Sequence, residues 1–257
     1  MPGLPRYTDQ EPETEDGNTP PFRSPVFHQS SNQPMDNRPL DQRVQEVSPP
    51  FLERFSAGVN RFADWIVRHW LAILNLLFLL YVGLPFLAPV MMEAGAEAPA
   101  KIIYTIYRPA CHQLPERSFF LFGESSAYDR SELPANGVAD SDNVFVRRNY
   151  VGDPEHGYKV AICQRDVAIY GSMFLMGLLF ALMRGHLPRL KVRWLLLFAL
   201  PMIIDGGTQL VGLRSSTWQL RLITGAFFGV GLIWFAYPYI EDSMRTTTVE
   251  MKDKSGR

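Results

Sequence analysis

The feature that most constrains the fold is a run of apolar residues that contains almost no charge. The 20 residues from Trp194 to Leu213 carry one charged side chain, Asp205. A helix of about 18 or more such residues is long enough to cross the ~30 Å hydrocarbon core of a bilayer. The mean hydropathy of the whole chain is only −0.05, because polar residues are concentrated in other segments. The sequence therefore predicts a multi-spanning membrane protein rather than a soluble enzyme.

Four segments have this character, and they predict an all-α integral membrane protein with a bundle of about four transmembrane helices. The predicted spans cover about residues 70–92, 161–183, 194–213 and 220–240. Residues 93–160 form one large loop between the first two spans. This loop is predicted to begin as a helix and to become irregular over residues 124–143. A hairpin over residues 143–163, turning near Gly152, is predicted to lead into the second span.

The orientation follows from Lys and Arg side chains near the ends of the spans, which favour the cytoplasmic side. Basic residues gather at one side of the predicted bundle: Arg54, Arg61, Arg68, Arg184, Arg189, Lys191, Arg193, Arg245, Lys252, Lys254 and Arg257. With four spans, both termini are then cytoplasmic and the loop 93–160 is extracytoplasmic. We expect a multi-pass protein of the plasma membrane. The first 50 residues lack the apolar region of a signal peptide, so the first span is predicted to be a signal anchor.

Three segments lie outside the predicted bundle. Residues 1–50 hold 10 of the 20 prolines and are predicted to be a disordered cytoplasmic tail. In residues 51–69 apolar side chains recur at spacings of three and four, which is typical of an amphipathic helix on a membrane surface. Residues 241–257 are predicted to form a second cytoplasmic tail.

The net charge bears on partners. The chain has 25 Lys and Arg residues against 26 Asp and Glu residues, which gives no basis for a nucleic-acid partner. The lipid bilayer is the partner that the sequence predicts. A homo-oligomer or a complex with other membrane proteins stays open.

The two cysteines of the chain, Cys111 and Cys163, both fall on the predicted outer side, and two interpretations of them stay open. A disulfide between them would close a loop of about 50 residues and stabilise the fold by roughly 4 kcal/mol. Alternatively, Cys111, His112 and Cys163 would supply three ligands to a zinc ion, with an Asp or a water molecule as the fourth.

Polar residues inside the predicted spans are more informative. Asp205 lies in the third span, where a charge costs roughly 2.5–3.5 kcal/mol, so it should face the bundle interior and have a partner. Gln209 lies one turn further along the same face. Together with residues at the ends of the other spans, these side chains predict a polar cluster at the outer end of the bundle: Arg117, Arg165, Asp166, Asp205, Gln209, Arg214, Ser216 and Arg221.

Two interpretations of this cluster stay open. The first is a buried ion-pair network that fixes the helix register, with Asp205 paired to Arg221 or Arg165. The second is a pocket that opens outward, in which arginines bind an anionic phosphate headgroup or a carboxylate. In the second case Asp205 or Asp166 orients an arginine or acts as a base. Any catalytic residue is then sought among Asp205, Asp166, Cys111 and Cys163.

These motifs together resemble a family of prokaryotic membrane proteins known as a domain of unknown function, DUF2085. The resemblance covers about residues 70–240 and rests on several motifs in the same order: Cys111-His112-Gln113, Cys163 with Arg165-Asp166, Asp205 with Thr208-Gln209, Arg214 with Ser216, and Arg221 with Thr224-Gly225. It implies a multi-helical membrane protein and brings no reaction with it.

The sequence thus leaves three hypotheses of function and does not decide whether the protein is an enzyme. The first is a protein that binds or processes an anionic lipid or small molecule at the polar cluster, for example as a metal-assisted hydrolase or transferase. The second is a non-enzymatic, disulfide-braced subunit that docks other proteins. The third is a small transporter that oligomerises through a close-packing face such as Gly225–Gly229.

Overall fold

The computed structural model of the chain describes residues 50–134, 138 and 141–255. Its internal contacts divide the chain into two units, residues 1–53 and 54–257. The helices and the sheet, apart from the first turn of the first helix, belong to the second unit. The predicted disordered tail lies outside the described residues, except for Pro50.

Six α-helices make up most of the described chain. They are α1 Pro50–Glu93, α2 Glu97–Tyr107, α3 Val144–Asn149, α4 Gln164–Leu182, α5 Val192–Leu210 and α6 Trp218–Ser255. The helix α1 is continuous, so the predicted interfacial helix and the predicted first span form one helix. The helix α6 continues past the predicted end of the fourth span and includes most of the segment predicted as a second tail.

Three stretches of the described helices are long and apolar enough to cross a membrane. They are Arg54–Glu93 in α1, Gln164–Leu182 in α4 and Trp218–Met251 in α6. The segment predicted as the third span does form helix α5. It is not among these three, because Arg193 near its start and Asp205 and Gln209 in its last turns lower its mean hydropathy. The protein is therefore a membrane protein with three candidate spanning helices, and the predicted count of four is not confirmed.

The outward faces of these helices carry large apolar side chains. More than half of the surface of Leu76, Leu175 and Leu196 is exposed, and many neighbouring leucines and isoleucines are similarly exposed. A water-soluble protein rarely exposes apolar surface on this scale. The same surface is well matched to lipid tails, as expected for helices that cross a bilayer.

Aromatic rings join α1, α4 and α6 in the bundle interior. Trp70, Phe180 and Tyr237 are almost fully buried, and their ring centroids lie 5.2–6.3 Å apart in edge-to-face arrangements. Such pairs contribute about 0.5–1.5 kcal/mol each beyond their burial. The Tyr237 hydroxyl donates a hydrogen bond to the Asn75 side chain at 3.3 Å, which satisfies a polar group within this apolar layer.

The helices α4 and α6 approach each other through two glycines. A Cβ atom on Gly229 would lie 2.5 Å from the backbone oxygen of Ile169, and one on Gly225 would lie 3.1 Å from that of Arg165. The predicted close-packing face of small residues is thus occupied by α4 of the same chain. This face is therefore already used within the chain, and the oligomer that the transporter hypothesis proposes stays a prediction.

A small antiparallel sheet corrects the all-α prediction. Its strands are β1 Ser118–Leu121, β2 Gly152–Asp153 and β3 Gly157–Cys163, in the order β1-β3-β2. The register pairs Ser118 with Cys163 and Phe120 with Lys159. The second span therefore begins at Gln164 and not at residue 161. The apolar residues of β3 are buried on both faces of the sheet. A short apolar run of this kind has no periodicity that distinguishes a strand from a helix.

The predicted hairpin is confirmed only in part. The strands β2 and β3 do form a hairpin, but the residues before it form helix α3. The side chain of Asn143 begins this helix by accepting a hydrogen bond from the backbone N–H of Phe145 at 2.9 Å. A side-chain cap of this kind favours a helix over the extended chain that the sequence predicted.

Candidate functional site

Contacts between helix termini define two ends of the bundle. At the sheet end, Arg165 at the start of α4 bonds Asp205 near the end of α5, and Ser216 just before α6 bonds the same carboxylate. At the opposite end, the connection over residues 183–191 joins α4 to α5. There Arg184 donates two hydrogen bonds to Glu241 of α6, at 3.0 and 2.8 Å. The helix α5 therefore runs alongside α4 and α6 between the same two ends.

Asp205 is the most deeply buried acidic side chain at the sheet end, with 1% of its surface exposed. Its carboxylate accepts hydrogen bonds from Arg165, from Arg214 at 2.8 Å and from Ser216 at 3.0 Å. Two positive charges thus compensate for the removal of one carboxylate from water, which would otherwise be costly. Of the two partners that the sequence predicted, Arg165 forms the pair. Arg221 does not, and Arg214 takes its place.

Arg221 is buried but, among the described residues, is not paired with a carboxylate. Its exposed fraction is 8%. One terminal nitrogen donates to the Gln164 side chain at 2.8 Å and to the backbone oxygen of Glu116 at 3.2 Å, and the other donates to the backbone oxygen of Ser216. Its Nε is buried without a hydrogen-bond partner. All its acceptors are neutral, so the positive charge of Arg221 is oriented but not neutralised.

A cavity of about 990 Å³ opens beside these side chains, and we call it the arginine cavity. Its lining includes four arginines and two acidic residues. The full lining is Glu116, Arg117, Asp129, Arg130, Ser131, Gln209, Gly212, Arg214, Ser215, Ser216, Thr217, Trp218, Gln219 and Arg221. Arg117 forms no ion pair with any other described residue. The lining therefore carries more positive than negative charge.

Most of the predicted binding residues meet at this cavity. Arg117, Gln209, Arg214, Ser216 and Arg221 line it. The sixth, Arg165, is not part of the lining and contributes through its bond to Asp205.

Among the lining residues that the sequence did not single out are Asp129, Arg130 and Ser131, which lie in a stretch interpreted as an irregular loop. One signal could have found them. Asp129 and Glu132 stand three apart, and each side chain bonds the other's backbone in a capping box around a short 3₁₀ helix. This spacing is a known start signal for a helix.

The two cysteines form a second cluster with Asp166, which we call the thiol cluster. One ligand atom from each of Cys111, Cys163 and Asp166 lies within 4.8 Å of the other two. The backbone N–H of Cys163 donates to the sulfur of Cys111 at 3.2 Å, and the thiol of Cys163 donates to the Asp166 carboxylate at 3.1 Å. Both cysteines are free thiols. The predicted disulfide between them stays a prediction.

The two thiols differ in acidity because their side chains lie next to each other. The side chain of Cys163 stabilises a thiolate on Cys111 and lowers the pKa of Cys111. The proximity of Cys111, together with burial, raises the pKa of Cys163 well above its usual range. Cys111 is therefore the thiol of the pair that loses its proton first.

His112 does not belong to this cluster, so the predicted set of Cys111, His112 and Cys163 as metal ligands stays a prediction. The ligand-like group found among the described residues contains Asp166 in its place. The reason lies in the backbone. Gln113 adopts a left-handed conformation, with φ of 53°, and its buried side chain bonds the backbone oxygens of Tyr104 and Ala161 at 2.8 Å. Cys111 and Gln113 therefore point into the protein, and His112 is exposed.

Lys159 is a buried group that the sequence did not single out. It lies in β3 with none of its surface exposed. Its Nζ donates to the backbone oxygens of Gln113 and Arg148, at 2.8 and 2.7 Å. Burial lowers the pKa of Lys159 to about 7. This lysine holds the loop after Cys111 against the sheet.

Comparison with known proteins gives relatives but no activity. A family model described as "Predicted membrane protein (DUF2085)" matches residues 155–235. An uncharacterised protein of Methanocaldococcus jannaschii is 29% identical over 179 residues, which are 66% of this chain and 92% of that protein. An uncharacterised protein of Methanothermobacter thermautotrophicus is 37% identical over 76 residues, which are 30% of this chain and 68% of that protein. No solved structure matches the chain.

Proposed function

The chain belongs to the DUF2085 family of predicted membrane proteins, and from that premise we propose that its arginine cavity binds an anionic group. The chemistry that fits is a phosphate or a carboxylate, carried either by a lipid headgroup or by a free small molecule. Arginine suits this task because its planar guanidinium can donate two parallel hydrogen bonds to either group.

The observation that carries the proposal is the state of Arg221. Arg221 is 8% exposed at the cavity wall, and the acceptors of its guanidinium are one amide and two backbone carbonyls. Burial of a cation without a counter-charge costs several kcal/mol. An anion in the cavity would supply the missing negative charge, and Arg117 would add a second positive charge from the same lining.

The start of helix α6 supports the same ligand class. Ser216 and Thr217 precede the helix and line the cavity, as do its first residues, Trp218 and Gln219. The N-terminus of a long helix carries a partial positive charge and unpaired N–H groups, which favour an anion. The cavity therefore combines arginine side chains with a favourable backbone dipole.

We propose binding rather than a reaction, because of what the cavity wall contains. Neither Cys nor His is among its lining residues, and Asp205 is engaged by two arginines and a serine. A carboxylate held in this way positions the arginines and is a poor base. Asp205 thus takes the orienting role that the sequence left open.

We also propose that α5 is a fourth span, so that both termini are cytoplasmic and the arginine cavity is extracytoplasmic. The bonds from Arg165 to Asp205 and from Arg184 to Glu241 support this, because they place α5 between the same two ends as α4 and α6. The basic residues Arg189, Lys191 and Arg193 belong to the end opposite the sheet, as the positive-inside rule requires. In this topology α1 serves as a signal anchor in the plasma membrane.

Equilibrium binding to the full chain in detergent tests the proposal. The probes are inorganic phosphate and a short-chain anionic phospholipid, titrated calorimetrically at constant ionic strength. Binding of both indicates recognition of the phosphate group, and binding of the lipid alone indicates that acyl chains contribute. Absence of binding for both probes contradicts the proposal.

Three variants assign any binding to the cavity. Arg117→Gln removes a half-buried lining charge, and Arg221→Lys keeps the charge but loses the planar fork. Each should weaken binding by about tenfold or more, the usual worth of a charge-assisted hydrogen bond. The matched control is Arg108→Gln at an exposed arginine outside the lining, and it should bind like the wild type. Equal affinities for all four proteins would contradict the site.

A further inference from the structure

We infer that the thiol cluster is a binding site for one zinc ion, with Cys111, Cys163 and Asp166 as its three protein ligands. Two sulfurs and one carboxylate oxygen already lie within 4.8 Å of one another. Ligand atoms around tetrahedral zinc lie roughly 3.3–3.8 Å apart, given metal–ligand distances of about 2.0–2.3 Å. Closing the cluster around an ion therefore needs side-chain shifts of about 1 Å, within the reach of small rotations about the side-chain bonds.

The fold places the three ligands independently of any metal. Cys163 is the last residue of β3, and Asp166 lies in the first turn of α4. Cys111 is held by its backbone N–H, which donates to the backbone oxygen of Tyr107 at 3.0 Å. The N–H of Cys163 then bonds the sulfur of Cys111. Ligands held in this way by a strand end, a helix start and an anchored loop favour metal binding, because little ordering remains to be done.

Charge supplies a second, independent argument. Asp166 is half-buried and has no ion pair with any Arg or Lys of the described chain, although Arg165 is its neighbour in sequence. Its carboxylate accepts a weak hydrogen bond from the Cys163 thiol. By contrast, Asp205 is held by two arginines. A divalent cation would give Asp166 the counter-charge that the protein does not provide.

The donor set selects the metal. Thiolates favour zinc over magnesium or calcium, which prefer oxygen ligands throughout. On binding, the two thiols release their protons to water, and the ion forms two Zn–S bonds and one Zn–O bond. Three protein ligands leave a fourth position for a water molecule, as in catalytic rather than structural zinc sites. The inference does not depend on the anion proposal, because none of these three residues lines the arginine cavity.

Cobalt titration of the full, reduced and metal-free chain tests the inference. Co²⁺ takes the place of zinc and reports thiolate ligands by a charge-transfer band in the near ultraviolet. We expect one Co²⁺ to bind per chain and Zn²⁺ to abolish the charge-transfer band by displacing Co²⁺. In a separate measurement, Zn²⁺ without cobalt should protect both cysteines from alkylation. The protection readout needs no variant, so it holds even where a substitution disturbs folding.

Four variants locate the ligands. Cys111→Ser and Cys163→Ser should each lose the charge-transfer band. Asp166→Asn should weaken Co²⁺ binding by about tenfold or more, since a neutral amide replaces an anionic ligand. His112→Ala is the matched control, because this exposed histidine is adjacent in sequence and outside the cluster. It should bind like the wild type.

Three results would overturn the inference. The first is the absence of a band and of Zn²⁺ protection in the reduced wild type. The second is a band that persists in both cysteine variants. The third is an affinity that falls in His112→Ala and not in Asp166→Asn, which would restore the ligand set expected from the sequence.

Discussion

The two ends of the bundle solve the same electrostatic problem in different ways. At each end a buried carboxylate is held by two arginines: Asp205 at the sheet end by Arg165 and Arg214, and Glu241 at the opposite end by Arg184 and Arg245. At the opposite end a third arginine is paired as well, since Arg189 bonds Asp242 at 2.7 Å. At the sheet end, Arg117 and Arg221 have no carboxylate partner among the described residues.

The cavities follow this difference in charge. The cavity beside Glu241 measures about 160 Å³, whereas the arginine cavity measures about 990 Å³. The paired charges beside the small cavity connect helices and leave little room for a ligand. Unpaired arginines next to a large space are typical of a site that receives an anion. The comparison thus contrasts an ion-pair network at one end of the bundle with the proposed anion site at the other.

Removal of Asp205 should have the largest effect on stability. Asp205→Asn leaves Arg165 and Arg214 facing each other without a negative charge, at a position where the carboxylate is almost fully buried. Breaking a buried pair by removing one partner costs about 3–5 kcal/mol. Since Arg214 is 44% exposed, we expect the low end, about 3 kcal/mol. Denaturant unfolding in detergent measures this, and a loss below about 1 kcal/mol would contradict the buried network.

Insertion of a methyl group between α4 and α6 should have the next largest effect. In Gly229→Ala the new Cβ would lie 2.5 Å from the backbone oxygen of Ile169, so the helices must separate. Overpacking of this kind costs about 1–3 kcal/mol. The same unfolding assay measures it. The matched control is Gly171→Ala in α4, where no atom lies within 4 Å of the new Cβ. Equal stabilities of the two variants would contradict the close packing.

Glu241→Gln should cost less than Asp205→Asn, at about 1–2 kcal/mol. The partners Arg184 and Arg245 are 45% and 65% exposed, so water compensates for much of the lost attraction. Both losses of unfolding free energy should be measured in the same denaturant assay. A larger loss for Glu241→Gln than for Asp205→Asn would contradict the stronger dependence on the ion pair at the sheet end.

Lys159 should in addition make the free energy of unfolding depend on pH. Burial lowers its pKa to about 7 in the folded protein, against about 10.4 for a free lysine. Above pH 7 the unfolded chain therefore binds the proton that the folded chain has released. Stability should rise with pH from about 7 to about 10, by up to about 1.4 kcal/mol per pH unit. Lys159→Met should lose this rise, and an unchanged pH profile in that variant would contradict the assignment.

The position of the polar residues at one end of the bundle could be predicted because antiparallel helices bring their ends together. Once residues 194–213 were assigned as a helix between two others, Arg165, Asp205 and Arg221 had to lie near one end. Their exact pairing could not be predicted in this way. Whether Arg214 or Arg221 bonds Asp205 depends on the backbone conformation of the turn between α5 and α6. The pattern of apolar residues does not predict that conformation.

The sheet and the thiol cluster were harder to predict for local reasons. The apolar residues of β3 run into the start of α4 without a break in hydrophobicity, so the helix was assigned three residues too early. His112 was favoured as a ligand because it follows Cys111 in sequence. The left-handed Gln113 turns that neighbour outward, and Asp166 comes close only because α4 begins directly after Cys163.

The most direct test of the account compares the two ends by their response to phosphate. A ligand that binds only the folded state stabilises it, by about 2.7 kcal/mol at 100 times its dissociation constant. We predict that phosphate, exchanged for chloride at constant ionic strength, raises the melting temperature of the wild type and of Arg189→Gln. It should not raise that of Arg117→Gln. An equal rise in all three proteins, or no rise in the wild type, would contradict an anion site at the sheet end.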